Sequence, residues 1–361
     1  MNPSRNALTH RCSGRMADAN SLDRHHPAAI LMDKNQQPIR SREAWEERRK
    51  NLISEWESVL GPAPTCPENL AIEVLDQEVL EEHAVVRERI TYRVEPGFRT
   101  EAYRLFPKDR QASSRPACLV CHSTVDHTIR QPAGLEGPSE LHLGLQLARL
   151  GFVTLCPMNF LWRFGDGPEK FQHAVTWLHE HHPASTTGMA VMLHEARMAL
   201  KALRQDPRVD SSRIGAIGHS LGAKEVLYLA AFEPGLRATV FSEGGLALAD
   251  SNWEAPWYLG PQVRRPEFPL DHARLLSLIA PRSFLVIGGD SADGERTEPT
   301  IQACRPVWNL YSGDDPVAAP GCVDRRLGFI NHHGGHQLPP QAHDQALDWL
   351  ERHLEGSPAL P

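Results

Sequence analysis

The 361 residues contain no apolar run approaching the length of a membrane-spanning helix. The first thirty residues are polar and carry no apolar core of a secretory leader. The expectation is therefore a cytoplasmic protein with no membrane partner. Nor is there a lysine and arginine stripe that could follow phosphates: 38 basic against 45 acidic residues leave a formal charge of −7, which argues against nucleic acid as a partner. The seven cysteines, Cys12, Cys66, Cys118, Cys121, Cys156, Cys304 and Cys322, are odd in number and lack framework spacing, which excludes a disulfide-stapled fold. Cys118 and Cys121 have the spacing of a redox or zinc pair. They lie within one apolar strand run, however, with no second pair to complete a tetrahedral site, so they read as core. No metal or organic cofactor is expected, and internal repeats and low-complexity tracts are absent.

What is present reads as one large domain with a short extension. Residues 1–38 are rich in Asn, Ser, Asp and His and read as a flexible segment. Residues 39–69 hold a helix expected from Ser41 to Leu60, with Trp45, Leu52, Ile53, Trp56, Val59 and Leu60 on one apolar face and a stop at Gly61-Pro62. This helix is expected to pack on the body formed by residues 70–361. The body opens with β-patterned runs, Ala71 to Leu75, Ala84 to Tyr92 and Thr100 to Leu105. Strand candidates then follow at Ala117 to Cys121, Phe152 to Cys156, Ile214 to Ile217, Ala238 to Phe241, Phe284 to Ile287 and Leu327 to Ile330. Helical segments separate them, among them Glu140 to Leu150, Met189 to Arg204 and Gln341 to Leu354. Such alternation specifies an α/β fold with a mostly parallel sheet and helices on both faces.

The most informative stretch is Gly218-His219-Ser220-Leu221-Gly222, placed between the apolar run Ile214 to Ile217 and a helical pattern. Small residues on both sides of a serine at a strand-to-helix turn describe a nucleophile elbow, whose strained backbone holds the hydroxyl clear of the sheet. The helix behind it directs N-terminal amides toward developing negative charge, and the amide of Leu221 is the first oxyanion donor.

With this motif the chain resembles the α/β-hydrolase superfamily, in its dienelactone-hydrolase-like and acetylxylan-esterase-like branch. Pro116 to Thr124 resembles the early strand and oxyanion loop, Leu147 to Pro157 the next helix and strand, and Asp210 to Gly222 the run into the elbow. Ile279 to Gly289 resembles the strand before the acid, and Gly334-Gly335-His336 the histidine loop. The resemblance covers about residues 70 to 355 and implies an α/β-hydrolase fold with an N-terminal helical extension. Dienelactone hydrolases proper carry cysteine at the elbow, so the serine here shifts the implied activity to ester hydrolysis by a Ser-His-Asp mechanism. The resemblance also places Thr124, with Ser123 next to it, as the second oxyanion donor, and Asp293 as the acid. Asp290 and, after an earlier strand, Glu243 remain open as alternatives.

Chain order in such triads is serine, acid, histidine. The base must therefore follow the last strand. His336 is preferred because Gly334-Gly335 frees the backbone to bring an imidazole over the elbow, with His333 as substitute; a metal site from His332, His333 and His336 lacks accompanying carboxylates. His122 precedes the serine and reads as a brace for the oxyanion loop. Trp253, Trp257 and Tyr258, with Phe160, Leu161 and Trp162 after another strand, are candidates for a substrate pocket or for lid packing. The expected partner is a small-molecule ester, with a homo-oligomer left open. A serine peptidase of prolyl-oligopeptidase type shares the elbow but needs a propeller for which this chain has no room. A binding protein of the same fold would have lost a triad member.

Overall fold

In the computed structural model the described residues are 30–109, 114–165, 167, 169–311 and 326–354. Residues 1–29, which make up most of the expected flexible segment, lie outside them. Residues 30–38 form a turn closed by the Met32–Pro38 bridge and by Ile39 N–H donating to Leu31 at 2.8 Å, with Ile30 buried, so the expected flexibility does not extend to them.

Helix α1 (Arg42–Leu60) starts where the Ser41 hydroxyl accepts from the Ala44 amide and stops at Gly61, whose N–H donates to Glu57. Its apolar face is the one read from the sequence: Trp45, Leu52, Trp56 and Leu60 are buried, and Ile53 and Val59 pack at the margin. Trp56 sits edge-on to Tyr228 at 5.8 Å and tilted on His272 at 5.5 Å, which fastens the helix to the body.

One nine-stranded sheet organises the remainder. Strands β1 (Glu73–Leu80), β2 (Val85–Glu95) and β3 (Phe98–Pro107) enter antiparallel. Then β4 (Arg115–Cys121), β5 (Val153–Pro157), β6 (Val209–His219), β7 (Ala238–Ser242), β8 (Ser283–Gly288) and β9 (Leu327–Asn331) run parallel to one another, in the spatial order 1-2-3-5-4-6-7-8-9. The mostly parallel α/β sheet expected from the alternation is thus present. Strands β4, β7 and β8 are buried along their whole length, which is why they read as continuous apolar runs; strands covered on both faces must be apolar on both. Within β4 the two-residue period still sorts the side chains. Ala117, Leu119 and Cys121 join the core cluster of one face, and Cys118 and Val120 that of the other.

Helices α2 (Leu143–Arg149) and α8 (Pro340–Leu354) cover the second face. The first is covered by α1, α3 (Lys170–His181), α4 (Gly188–Arg204), α5 (Leu221–Phe232), α6 (His272–Ser277) and α7 (Glu298–Asn309). The pattern did not anticipate α3 and α7: α3 carries three histidines, His173, His179 and His181, and α7 has a proline in its first turn and Pro306 inside. Cys118, Cys121, Cys156 and Cys304 are free and buried, so the first two are core, as their strand position implies. No described helix is long and apolar enough to cross a membrane.

The register brings the carboxyl ends of the parallel strands to one edge. Cys121 pairs with Gly218, His219 with Ser242, Ser242 with Ile287 and Gly288 with Asn331. Loops leaving β4, β6, β7, β8 and β9 therefore meet above a single line across the sheet.

Because Trp56 is fully buried between α1 and the body, Trp56→Ala should cost about 3–5 kcal/mol of folding stability. The measurement is a urea unfolding midpoint. A loss under about 1 kcal/mol would mean that α1 is an accessory to the core.

Candidate active site

The elbow is built on steric grounds. A Cβ on Gly218 would overlap the backbone of Gly222, and one on Gly222 would overlap the carbonyl of Cys121 in β4, so α5 can cross this close to the sheet only with glycine at both places. Between them Ser220 adopts φ 59° and ψ −114°, and its N–H donates to the Ser242 carbonyl at 2.8 Å. For a non-glycine residue this is strained backbone. Ser220 caps α5 without a side-chain hydrogen bond, so its hydroxyl is not consumed by the helix.

The Ser220 Oγ–H lies 3.0 Å from Nε2 of His336, and Nδ1–H of His336 lies 3.2 Å from Oε2 of Glu243. Serine, histidine and carboxylate thus form one hydrogen-bonded chain. Glu243 is the first residue after β7, as Ser220 is after β6, and it too has positive φ, 51°. Its side chain is fully buried. It accepts from the Ala292 amide at 2.6 Å and from the Gly289 amide. Burial alone would raise the carboxyl, but the hydrogen bonds from His336 and from these two amides hold it below the usual carboxylate range.

Asp293, expected as the acid, lies elsewhere. It is completely buried, with Oδ2 accepting from Gly245 N–H at 2.7 Å and Oδ1 from Leu246 N–H at 2.8 Å and from the Thr297 hydroxyl at 3.2 Å. Both oxygens are committed to the loop after β7, so neither faces an imidazole. Desolvation pushes this carboxyl up to about 6, against the opposing pull of the two amides. Asp290 is exposed and pairs with His333 (Oδ2 to Nδ1, 2.5 Å) and Asn331 (2.7 Å), a contact within the loop edge. His332 donates its backbone N–H to Gly288 and accepts from Gly334 at Nδ1. Among the described residues no group of three or more His, Cys, Asp or Glu could hold a metal ion.

His219 was not singled out from the sequence. Its buried ring lies 5.1 Å from that of His336, and Nδ1 is 3.0 Å from the Ser242 hydroxyl. Burial, and after it the neighbouring His336, pushes it down to about 4, so it is neutral at neutral pH. On the β4 side Leu221 opens α5, while Thr124 is exposed on the loop two residues beyond His122.

Two expected pocket residues are core instead. Trp253 is fully buried, donates from Nε1 to the Gly245 carbonyl at 2.7 Å and has Lys224 Nζ 4.0 Å over its ring. Tyr258 is buried against it. Desolvation pushes Lys224 down to about 7 in this packing, where its ammonium donates to Ser251. Trp162, with Phe160 and Leu161, is also buried; only Trp257 is partly open, tilted on Phe171 at 5.0 Å.

This is the α/β-hydrolase fold, with Ser220, Glu243 and His336 on the loops that leave β6, β7 and β9. Residues 128–256 match the model of the dienelactone hydrolase family. Among solved structures, the glucuronoyl esterase from Solibacter usitatus superposes with a TM-score of 0.71 at 17% identity, over 92% of this chain and 98% of that one. The glucuronoyl esterase of carbohydrate esterase family 15 from Teredinibacter turnerae T7901 gives 0.65 at 20% identity, over 95% and 93%. A protein from Bacteroides fragilis NCTC 9343, described as a putative acetyl xylan esterase, gives 0.61 at 14% identity, over 90% and 84%. No curated protein sequence matches the chain.

Asp293→Asn should destabilise the fold by about 1–3 kcal/mol at neutral pH, since an amide NH2 would then face a backbone N–H of Gly245 or Leu246. The pH dependence has a definite sign. The folded-state value is raised from 3.8 to about 6, so between these limits the folded chain holds a proton that the unfolded chain releases, and the group's contribution falls as pH rises through that window. Chemical denaturation of both proteins from pH 4 to 7 checks this. An unchanged midpoint, or a wild-type profile without the falling contribution, would contradict it.

Proposed function

We propose that the protein is a serine hydrolase of carboxylic esters, acting on short-chain, acetyl or sugar esters through an acyl-enzyme. The observation that carries this reading is the unbroken chain from Ser220 Oγ through His336 to Glu243, at 3.0 and 3.2 Å. Ser220 Oγ attacks the ester carbonyl while Nε2 of His336 takes its proton, and the ionised Glu243, holding Nδ1–H, stabilises the imidazolium. The oxyanion is received by the amides of Leu221 and Thr124. His336 then gives its proton to the departing alkoxide. Water, deprotonated by the same imidazole, attacks the acyl-enzyme and releases the acid and a free Ser220 hydroxyl. In this reading Glu243 takes the acid's role, and Asp293 holds the adjoining loop.

The structural neighbours, glucuronoyl esterases and a putative acetyl xylan esterase, support a sugar-linked ester as the substrate class. Partly open Trp257 offers an indole face to such a substrate.

Ser220→Ala should reduce ester turnover by on the order of a millionfold, and Glu243→Gln by about ten-thousandfold through loss of the imidazole's correct tautomer, while Asp293→Asn should cost far less in kcat. The assay is steady-state hydrolysis of p-nitrophenyl acetate, acetylated xylose, a methyl ester of glucuronic acid and a chromogenic proline peptide. A Ser220→Ala protein retaining a tenth of the activity would sink the assignment. Turnover of the peptide alone would put the peptidase in its place, and a greater loss in Asp293→Asn than in Glu243→Gln would return the acid's role to Asp293.

A further inference from the structure

His122 is a buried histidine that the proposed reaction does not use. It is the first residue after β4, and both ring nitrogens are engaged by backbone: Asn159 N–H donates to Nε2 at 3.2 Å, so the proton resides on Nδ1, which donates to the Ser123 carbonyl at 2.7 Å. Burial pushes the ring down to about 4, so the neutral tautomer is the form present at neutral pH. Trp162 packs edge-on to it at 4.9 Å, and the Asn159 side chain, accepting from Leu161 N–H at 3.0 Å, fixes the turn that supplies the second contact.

The acceptor of that bond gives it meaning. The Ser123 carbonyl and the Thr124 N–H belong to one planar peptide unit, and in a trans unit the C=O and N–H bonds point in opposite directions. Whatever grips the carbonyl therefore aims the N–H, and here the grip is shared by His122 and by the Val125 N–H, which donates to the same oxygen at 2.9 Å. On its other side Ser123 is held as well, its own N–H donating to Gln131 Oε1 at 3.1 Å. Among the described residues the Thr124 N–H itself finds no protein acceptor, and Thr124 is exposed. The β4 terminus on which this loop stands is the segment that Gly222 of the elbow touches, so loop and nucleophile share one support.

We propose that His122 is a positioning residue of the oxyanion hole, which by donating Nδ1–H to the Ser123 carbonyl locks the peptide plane that presents the Thr124 N–H to the developing oxyanion. The inference rests on the ester hydrolase reading, with Thr124 as second donor. It makes His122 act through a backbone group and never touch the substrate. An amide held in place before the reaction costs no reorganisation when charge develops, whereas one on a freely turning peptide does.

The test compares His122→Leu, His122→Gln and His122→Asn on an aryl acetate and on its thiono analogue, which carries sulfur for the carbonyl oxygen. Asn can still donate near the position of Nδ1. Gln keeps an acceptor for Asn159 N–H but withdraws the donor from Ser123, and Leu removes both. The expectation is a ~10–100-fold fall in kcat for Leu and Gln on the oxo ester, at nearly unchanged KM, since loss of a whole donor costs about 100- to 1,000-fold. Their preference for the oxo over the thiono ester should shrink, because sulfur gains little from the hole, and Asn should recover most of kcat and the preference. If Leu fails to fold, Gln and Asn carry the comparison. Wild-type kcat in folded Gln, equal falls on both esters, or no recovery in Asn overturns the inference. Those results leave the hydrolase reading standing as long as Ser220→Ala is inactive on the same ester; an active Ser220→Ala protein overturns the reading itself.

Discussion

Everything at the carboxyl edge of the sheet depends on keeping one fully buried carboxylate, Glu243, ionised. Removing a carboxylate from water costs several kcal/mol, and a buried charge persists only where dipoles replace its hydration. Here Gly289 and Ala292 supply amides from the loop after β8, and His336 supplies Nδ1–H from the loop after β9. The acceptor therefore has to sit where three strand exits meet, and parallel register makes those exits coincide. Without the sheet's alignment the same side chains would be an exposed acid and an exposed histidine of ordinary behaviour.

The same edge concentrates strain. Of the eight non-glycine residues with positive φ among the described residues, Ser220, Glu243, Asp290 and His333 follow β6, β7, β8 and β9 within two positions. Each such conformation costs on the order of 1–3 kcal/mol and persists only where surrounding structure over-determines it. The two-faced core, closed by α2 and α8 on one side and by α1 and α3 to α7 on the other, supplies that determination. In return the chain reverses direction within one or two residues of each strand, so the side chains stand at the strand ends on short leashes.

The sequence was most legible where sterics are strictest. The buried strands announced themselves as apolar runs, α1 by its spacing and its Ser41 and Gly61 ends, and the elbow by glycines that no other residue could replace at Gly218 and Gly222. His336 followed from chain order and from its glycines, and the structure brings it to Ser220. The acid was harder to read. Asp293 and Glu243 are both carboxylates shortly after a strand, and which of them faces the imidazole is decided by backbone direction within a few residues, which composition does not encode. One signal was present: Glu243 follows β7 directly and is followed by Gly244-Gly245, the strand, functional residue and small residue order of the elbow itself. The aromatics were ambiguous for a related reason. Trp253 and Tyr258 lie in an irregular segment without period, and their burial arises from Lys224, His272 and Tyr228, on elements distant in sequence.

The two carboxylates also explain each other. Glu243, after β7, accepts amides from the loop after β8, and Asp293, in the loop after β8, accepts the Gly245 and Leu246 amides from the loop after β7. Each loop is thus held by the acid of the other, a reciprocal stitch with no exposed component. The difference between them is what remains open. Glu243 keeps one further direction, taken by His336, and is held low; Asp293 has both oxygens bonded to its own scaffold and is pushed up toward 6. Two acids in one desolvated neighbourhood repel, and giving the hydrogen-bonding imidazole to one of them makes the other the easier to protonate. Glu243 is therefore the more readily ionised of the two, and it is the one that bonds His336.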